Sequence, residues 1–284
     1  MRRVAIYSCL LIGLTGRTAA TVGIVTSVTP FRIGPHREPI IAVRVNGEGP
    51  FPFILDTGST HTSIGAELAR KLAAPVVAKT TVTSSLGQHV QPVVNLQRLE
   101  VGPQTALQVL ATAVSQDTLG NKREVQGVLG QDVLGGLVYT LDFAGGRVEW
   151  NVDVRSTSSR VFTLNLRNER GRFLAELPQK DSTLWLVPDS GAETLVLYER
   201  PHAQLPSLTR TGGRALLSTV SDQRAVEAVH VNRLRVGDAN LTDVPAVLVR
   251  HDDEDLSLGD GLLPLALFER VTFDGPGRLL IVSP

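Results

Sequence analysis

Cysteine is almost absent from this chain. Of 284 residues one is Cys, and it is Cys9, inside the first apolar stretch. If that stretch is removed, no disulfide is available, and stability has to come from core burial. A surplus of either charge is missing too. The 28 acidic and 28 basic residues balance, which leaves no electrostatic footprint for nucleic acid or an acidic membrane surface. The N-terminal apolar run, Val4–Leu14, is too short to span a bilayer comfortably. The glycine-rich stretches carry neither a P-loop nor a dinucleotide fingerprint. The acidic run His251-Asp252-Asp253-Glu254-Asp255 fails as a calcium loop, because Leu258 stands where the sharp turn requires Gly, and reads as a solvated loop. Ser59 and His61 share one loop with no third group to orient them, so the pair does not make a serine nucleophile. No metal and no cofactor is expected.

What is present begins with Met1-Arg2-Arg3, the apolar run, and the small residues Thr18-Ala19-Ala20. This is the pattern of a secretory signal peptide over residues 1–20, and it predicts a secreted or periplasmic protein. An uncleaved anchor and a lipid attached at Cys9 are the alternatives. The 26 glycines and 16 prolines, set among short apolar segments, favour an all-β chain. Residues 21–37, with Pro30, Gly34 and Pro35, read as an exposed lead-in. Ile40–Val45 alternates as a strand, and Asn46-Gly47 is a hairpin turn. Residues 64–72 have helical spacing. The linker falls at 151–160, where Ser156-Thr157-Ser158-Ser159 cluster.

Two segments then say nearly the same thing. Phe51-Pro52-Phe53-Ile54-Leu55 ends in Asp56-Thr57-Gly58-Ser59, and Leu184-Trp185-Leu186-Val187-Pro188 ends in Asp189-Ser190-Gly191-Ala192. Each is an apolar run bounded by a turn signal, the pattern of a buried strand. A carboxylate at the end of such a strand is costly unless it is paired or hydrogen-bonded. The spacing is 133 residues, and other anchors keep step with it. Arg98-Leu99-Glu100-Val101-Gly102 matches Arg233-Leu234-Arg235-Val236-Gly237, Gly127-Val128-Leu129-Gly130 matches Gly261-Leu262-Leu263-Pro264, and Asp142 matches Asp274. The chain is a duplicated unit, with a period far too long for a solenoid.

These residues resemble the aspartic proteases, in particular bacterial retropepsin-like lobes fused in tandem as in pepsin. The resemblance implies a mainly β fold of two pseudo-symmetric β-barrel lobes with short helices, residues 38–150 and 161–284, and an active site between them. It implies Asp56 and Asp189 as catalytic residues, with Thr57, Gly58, Ser59, Ser190 and Gly191 supporting the active-site loops. Thr57 and Ser190 would hydrogen-bond across the interface, and a flap would fall at Ser84-Ser85-Leu86-Gly87-Gln88, which an ordinary solvated turn explains equally. Two departures stand out. Pro264 replaces the glycine of the second apolar loop, so a left-handed backbone is not open to it. Pro188 removes an N–H from the strand that carries Asp189.

Two carboxylates brought to ~3 Å repel by roughly 5 kcal/mol at an effective dielectric near 20. That is about four pKa units, so such a pair shares one proton. The implied activity is an aspartic endopeptidase acting on peptides or unfolded proteins as a monomer, without nucleic acid or stable membrane insertion. A catalytically inactive peptide-binding protein is the alternative, and a structural β-domain with locally satisfied aspartates is the third reading. Ser59 can donate to Asp56, whereas Ala192 has no hydroxyl for Asp189, so Asp56 is expected to be the more readily ionised partner.

Overall fold

Alternation of buried and exposed residues along short segments makes strands, and the duplication makes them twice. A computed structural model describes residues 27–84, 87–115, 119, 125–154, 161–201, 203–218, 223–250 and 259–283. The expected signal peptide with Cys9, the acidic run and residues 155–160 of the linker lie outside those residues.

The N-terminal half runs β1 (Ser27–Ile33), β2 (Pro39–Val45), β3 (Glu48–Leu55), β4 (Ser63–Gly65), α1 (Ala66–Lys71) and β5 (Val76–Ser84). It continues with β6 (Gly87–Val101), β7 (Gln104–Val114), β8 (Gly127–Leu129), α2 (Gln131–Leu134), β9 (Val138–Asp142) and β10 (Arg147–Trp150). The C-terminal half repeats the order with β11 (Phe162–Glu169), β12 (Arg172–Pro178), β13 (Thr183–Asp189), β14 (Leu195–Glu199) and β15 (Leu208–Ser218). Then follow β16 (Gln223–Val236), β17 (Ala239–Arg250), β18 (Gly261–Pro264), β19 (Arg270–Asp274) and β20 (Leu279–Ser283). The helical spacing at 64–72 yields only α1, because Ser63–Gly65 is spent on a parallel pairing with β7. Among the described residues no helix stands at the matching place after β14, where Pro201 interrupts the chain.

Each half is one curled sheet. In the first, β2, β3, β8, β4, β7 and β6 are neighbours in that order, and β6 returns to β2 to close a barrel. In the second, β12, β13, β18, β14, β17, β16 and β15 follow the same order. Its closing contact differs. The side-chain amide of Gln179 donates to the Arg235 carbonyl and accepts the Arg235 N–H, at 3.0 and 2.9 Å. Pro178, the last residue of β12, has no N–H to offer a backbone ladder there.

A third, six-stranded antiparallel sheet, in the order β1, β10, β9, β19, β20, β11, joins the halves. Residues 21–37 were expected as an exposed lead-in, and within the described part of it Ser27–Ile33 is instead a paired strand. Ser27–Pro30 pairs with β10, and Phe31–Ile33 turns onto β2 with Phe31 buried. β11 makes the matching switch, from β20 to β12. Pro30 and Gly34 disguised this strand, although proline is tolerated at a sheet edge.

In the centre of the joining sheet Thr140 faces Thr272, and their hydroxyls share a buried hydrogen bond of 2.7 Å. The two are equivalents in the repeat, so they mark its pseudo-twofold axis. Tyr139 stacks on Phe273, which meets Phe173 edge-on. Arg270 from the second half bonds Asp142 and Glu149 of the first, both nearly sealed from solvent. One hydrophobic core runs through both halves.

Candidate active site

Asp56 follows β3 and Asp189 ends β13, each held beside a parallel neighbour. β8 runs along β3 and β18 along β13, and the Asp56 N–H bonds the Leu129 carbonyl at 3.0 Å. The two loops meet on the axis. Thr57 Oγ1 donates to the Pro188 carbonyl and Ser190 Oγ to the Leu55 carbonyl, both at 2.7 Å. In return the Thr57 N–H donates to Ser190 Oγ and the Ser190 N–H to Thr57 Oγ1, both at 3.0 Å. Thr57 and Ser190 are buried, so these four bonds are shielded from water.

The glycines explain how closely the carboxyls approach. A Cβ on Gly58 would fall 2.5 Å from Cγ of Asp189, and one on Gly191 3.2 Å from Cγ of Asp56. Each glycine thus makes room for the aspartate of the other half. The Gly58 N–H donates to Asp56 Oδ1 at 2.8 Å and the Gly191 N–H to Asp189 Oδ1 at 2.7 Å. All seven residues singled out in the sequence therefore gather in one place.

The pair is not symmetric. Ser59 Oγ donates to Asp56 Oδ2 at 2.7 Å, and Ala192 offers no such group. Asp189 is pushed well above the usual carboxylate range, first by burial and then by the charge of Asp56 and a hydrogen bond with it, against the pull of the Gly191 and Ala192 N–H groups. Ser59 is thereby spent on Asp56, and His61 faces Thr60 instead, 2.9 Å away.

The two prolines leave this arrangement intact. Pro188 supplies a carbonyl to Thr57, and the grip asks nothing of its missing N–H. The left-handed backbone expected at the glycine opposite Pro264 does not occur. Gly130 has φ −104°, which any residue adopts, and Pro264 has φ −68°. Gly130 is needed for space, since a Cβ there would lie 2.5 Å from the His61 backbone.

Sequence reasoning missed Gln131 and Asp132. The Gln131 side-chain amide donates to the Thr57 carbonyl at 2.8 Å. The Gln131 and Asp132 N–H groups cap the Ser59 and Thr60 carbonyls. The Asp132 carboxylate accepts the Thr62 N–H at 3.0 Å and the Thr62 hydroxyl at 2.7 Å. Together they fasten the whole loop from Thr57 to Thr62. In the repeat their places fall to Leu265 and Ala266, and that of Thr62 to Leu195, all buried. The compensating change of Thr62 with Asp132 to Leu195 with Ala266, inside one chain, is the signal that could have revealed them.

Against known proteins, a family model described as aspartyl protease matches residues 41–133 and 176–263. One model thus takes in an aspartate loop from each half. No curated protein matches the chain.

Proposed function

The chain belongs to the aspartyl protease family, and from that membership we propose an aspartic endopeptidase whose catalytic pair is Asp56 and Asp189. The observation that carries this reading is the reciprocal fit of the loops, in which Gly58 lies against Asp189 and Gly191 against Asp56. A binding module has no need to hold two carboxyls together against their repulsion.

The pair carries one proton, as dyads of this family do in general. Asp56, supported by Ser59 and Gly58, is the ionised member and takes a proton from a water held between the carboxyls. Asp189, which holds its proton more tightly, donates to the carbonyl oxygen of the scissile amide. Water oxygen bonds to the carbonyl carbon, and the C–N bond then breaks as the leaving nitrogen takes a proton from the pair. No bond forms between enzyme and substrate.

The substrate is a peptide or an unfolded protein lying between the halves, and the catalytic unit is a monomer because both aspartates come from one chain. The N-terminal segment directs export, so the enzyme works in the periplasm or outside the cell. The test is digestion of an unfolded protein across a pH series, with Asp56→Asn as control. A bell-shaped profile with its maximum on the acid side of neutrality is expected, with specific activity constant on dilution. A wild type that binds peptide and cuts it at no pH would make the chain a peptide-binding protein instead.

A further inference from the structure

The β15–β16 hairpin of the second half borders a cavity of about 440 Å³. A bulge shapes the hairpin there. Arg210 of β15 faces Val229 of β16 and Arg214 faces Glu227, and between these pairs Thr211-Gly212-Gly213 stand against Ala228 alone. Gly212 takes φ 69°. The Thr211 hydroxyl fixes the bulge, donating to the Ala228 carbonyl at 2.8 Å and accepting the Gly213 N–H at 3.2 Å. Gly212 and Gly213 border the cavity without side chains, and so leave room in it. Glu199 and Arg250, which pair where β14 and β17 end, border it too.

Positive charge gathers here in a chain that has no net charge. Arg214, Arg224 and Arg250 line the cavity together with Glu199 and Glu227. A fourth arginine, Arg210, lies between the two carboxylates, donating to Glu199 at 2.8 Å and also to Glu227. Arg250 takes the second oxygen of Glu199 through Nε at 2.8 Å. Both carboxylates are thus engaged, and four guanidinium groups against two carboxylates leave a surplus of two positive charges. Arg214 spends one nitrogen on the Ala225 carbonyl at 3.1 Å, and Arg224 has no partner among the described residues. The first half keeps the hairpin without these carboxylates, with Ala66 at the place of Glu199 and Pro92 at that of Glu227. The shared fold therefore does not require the cluster.

Cations crowded around a concavity repel one another, and an anion that enters relieves the repulsion while gaining charge-assisted hydrogen bonds. The guanidinium fork matches oxyanions, and a surplus of two favours a double charge over a single one. We propose that this cavity is a binding site for a small oxyanion with two negative charges, a phosphate monoester or a dicarboxylate, held by Arg214, Arg224 and Arg250. No residue that lines it belongs to either aspartate loop, so the site stands apart from the peptidase reading. The test is calorimetric titration of the full chain at constant ionic strength and about pH 8, where phosphate carries close to two charges. Inorganic phosphate, succinate and acetate are the probes. Phosphate or succinate should bind as a single ion per chain, about tenfold or more tighter than acetate. Tighter binding of phosphate assigns the site to a phosphate monoester, and tighter binding of succinate to a dicarboxylate. Arg224→Gln removes a cation that the fold does not use, and should weaken that binding about fivefold. Lys79→Gln, on the matching hairpin of the first half, should leave it unchanged. The proposal is overturned if neither dianion binds, if acetate binds as well, or if Arg224→Gln changes nothing.

Discussion

The two aspartate loops are copies that solve one problem with different chemistry. The first is held by polar groups, with Asp132 taking both the N–H and the hydroxyl of Thr62. The second is held by apolar packing, with Leu195, Leu265 and Ala266 in the same places. A buried polar set specifies geometry through direction but costs heavily when half of it is lost. An apolar set tolerates exchange but orients nothing. The half with directional support also gives its carboxylate a hydroxyl donor, Ser59, where the other half has Ala192.

The widest break of this comparison is to remove each carboxylate in turn. Asp56→Asn and Asp189→Asn should both lose cleavage by about 10²- to 10⁴-fold while keeping the fold, because the proposed mechanism gives each a proton-transfer role of its own. Peptide-cleavage assays with circular dichroism as the folding check decide it. Near-normal turnover in either variant would mean that the asymmetry extends to dispensability, and the shared pair would be wrong.

Next in size is Asp132→Ala, which strands the buried donors of Thr62. Thermal or denaturant unfolding should show a loss of about 2–3 kcal/mol. Thr62→Leu combined with Asp132→Ala, which copies the second half into the first, should recover much of it. If the double variant is as unstable as the single, the two solutions are not interchangeable.

A smaller effect is expected from Ser59→Ala, which makes the first loop resemble Ala192 of the second. The Ser59 hydroxyl favours the ionised form of Asp56. Removing it should therefore raise the lower apparent pKa of the pair, moving the acid limb of kcat/KM upward by about one pH unit. A limb that stays in place would show that the proton is assigned by burial alone.

The smallest effect concerns the sheet that joins the halves. Burial pushes Glu149 up, yet hydrogen bonds from Arg270 and Arg147 outweigh it, and the carboxyl ends below its ordinary 4.5. With the folded value depressed, this contribution is fully present above the unfolded value and is lost as pH falls through the folded one. Arg270→Gln should cost about 1 kcal/mol at pH 7, since the arginine is partly exposed, and progressively less below pH ~4. Unfolding midpoints measured across that range give the answer.

Much of this was legible in the chain itself. The duplication, the two strands that lead to the aspartates and the hairpin at Asn46-Gly47 follow from local patterns repeated in order, and the meeting of Thr57 with Ser190 from the family resemblance. The joining strand β1 was not legible, because its partners lie about 120 residues away and its own residues suggest a loop. Asp132 was not legible as a support, since an Asp after Gly-Gln marks only a helix start, and Thr62 sits 70 positions before it. The role of Gly130 was misread for a related reason. The sequence can show that a side chain is missing, but whether torsion or crowding requires that depends on the His61 backbone, which only the fold brings near.

The hydroxyls of Thr140 and Thr272 face each other across the axis, and either can be the donor. A residue that must meet its own copy has to be complementary to itself, and a hydroxyl qualifies because it can give and receive. Yet one hydrogen cannot sit midway by rule of symmetry. It belongs to one oxygen at a time, so the pair has two states that exact twofold surroundings would leave equal and unequal surroundings tip. In the proposed mechanism the Asp56–Asp189 pair meets the same constraint. Fusing two copies into one chain thus does more than bring them together: it lets each side of the axis change alone, and so lets the protein choose where a shared hydrogen resides.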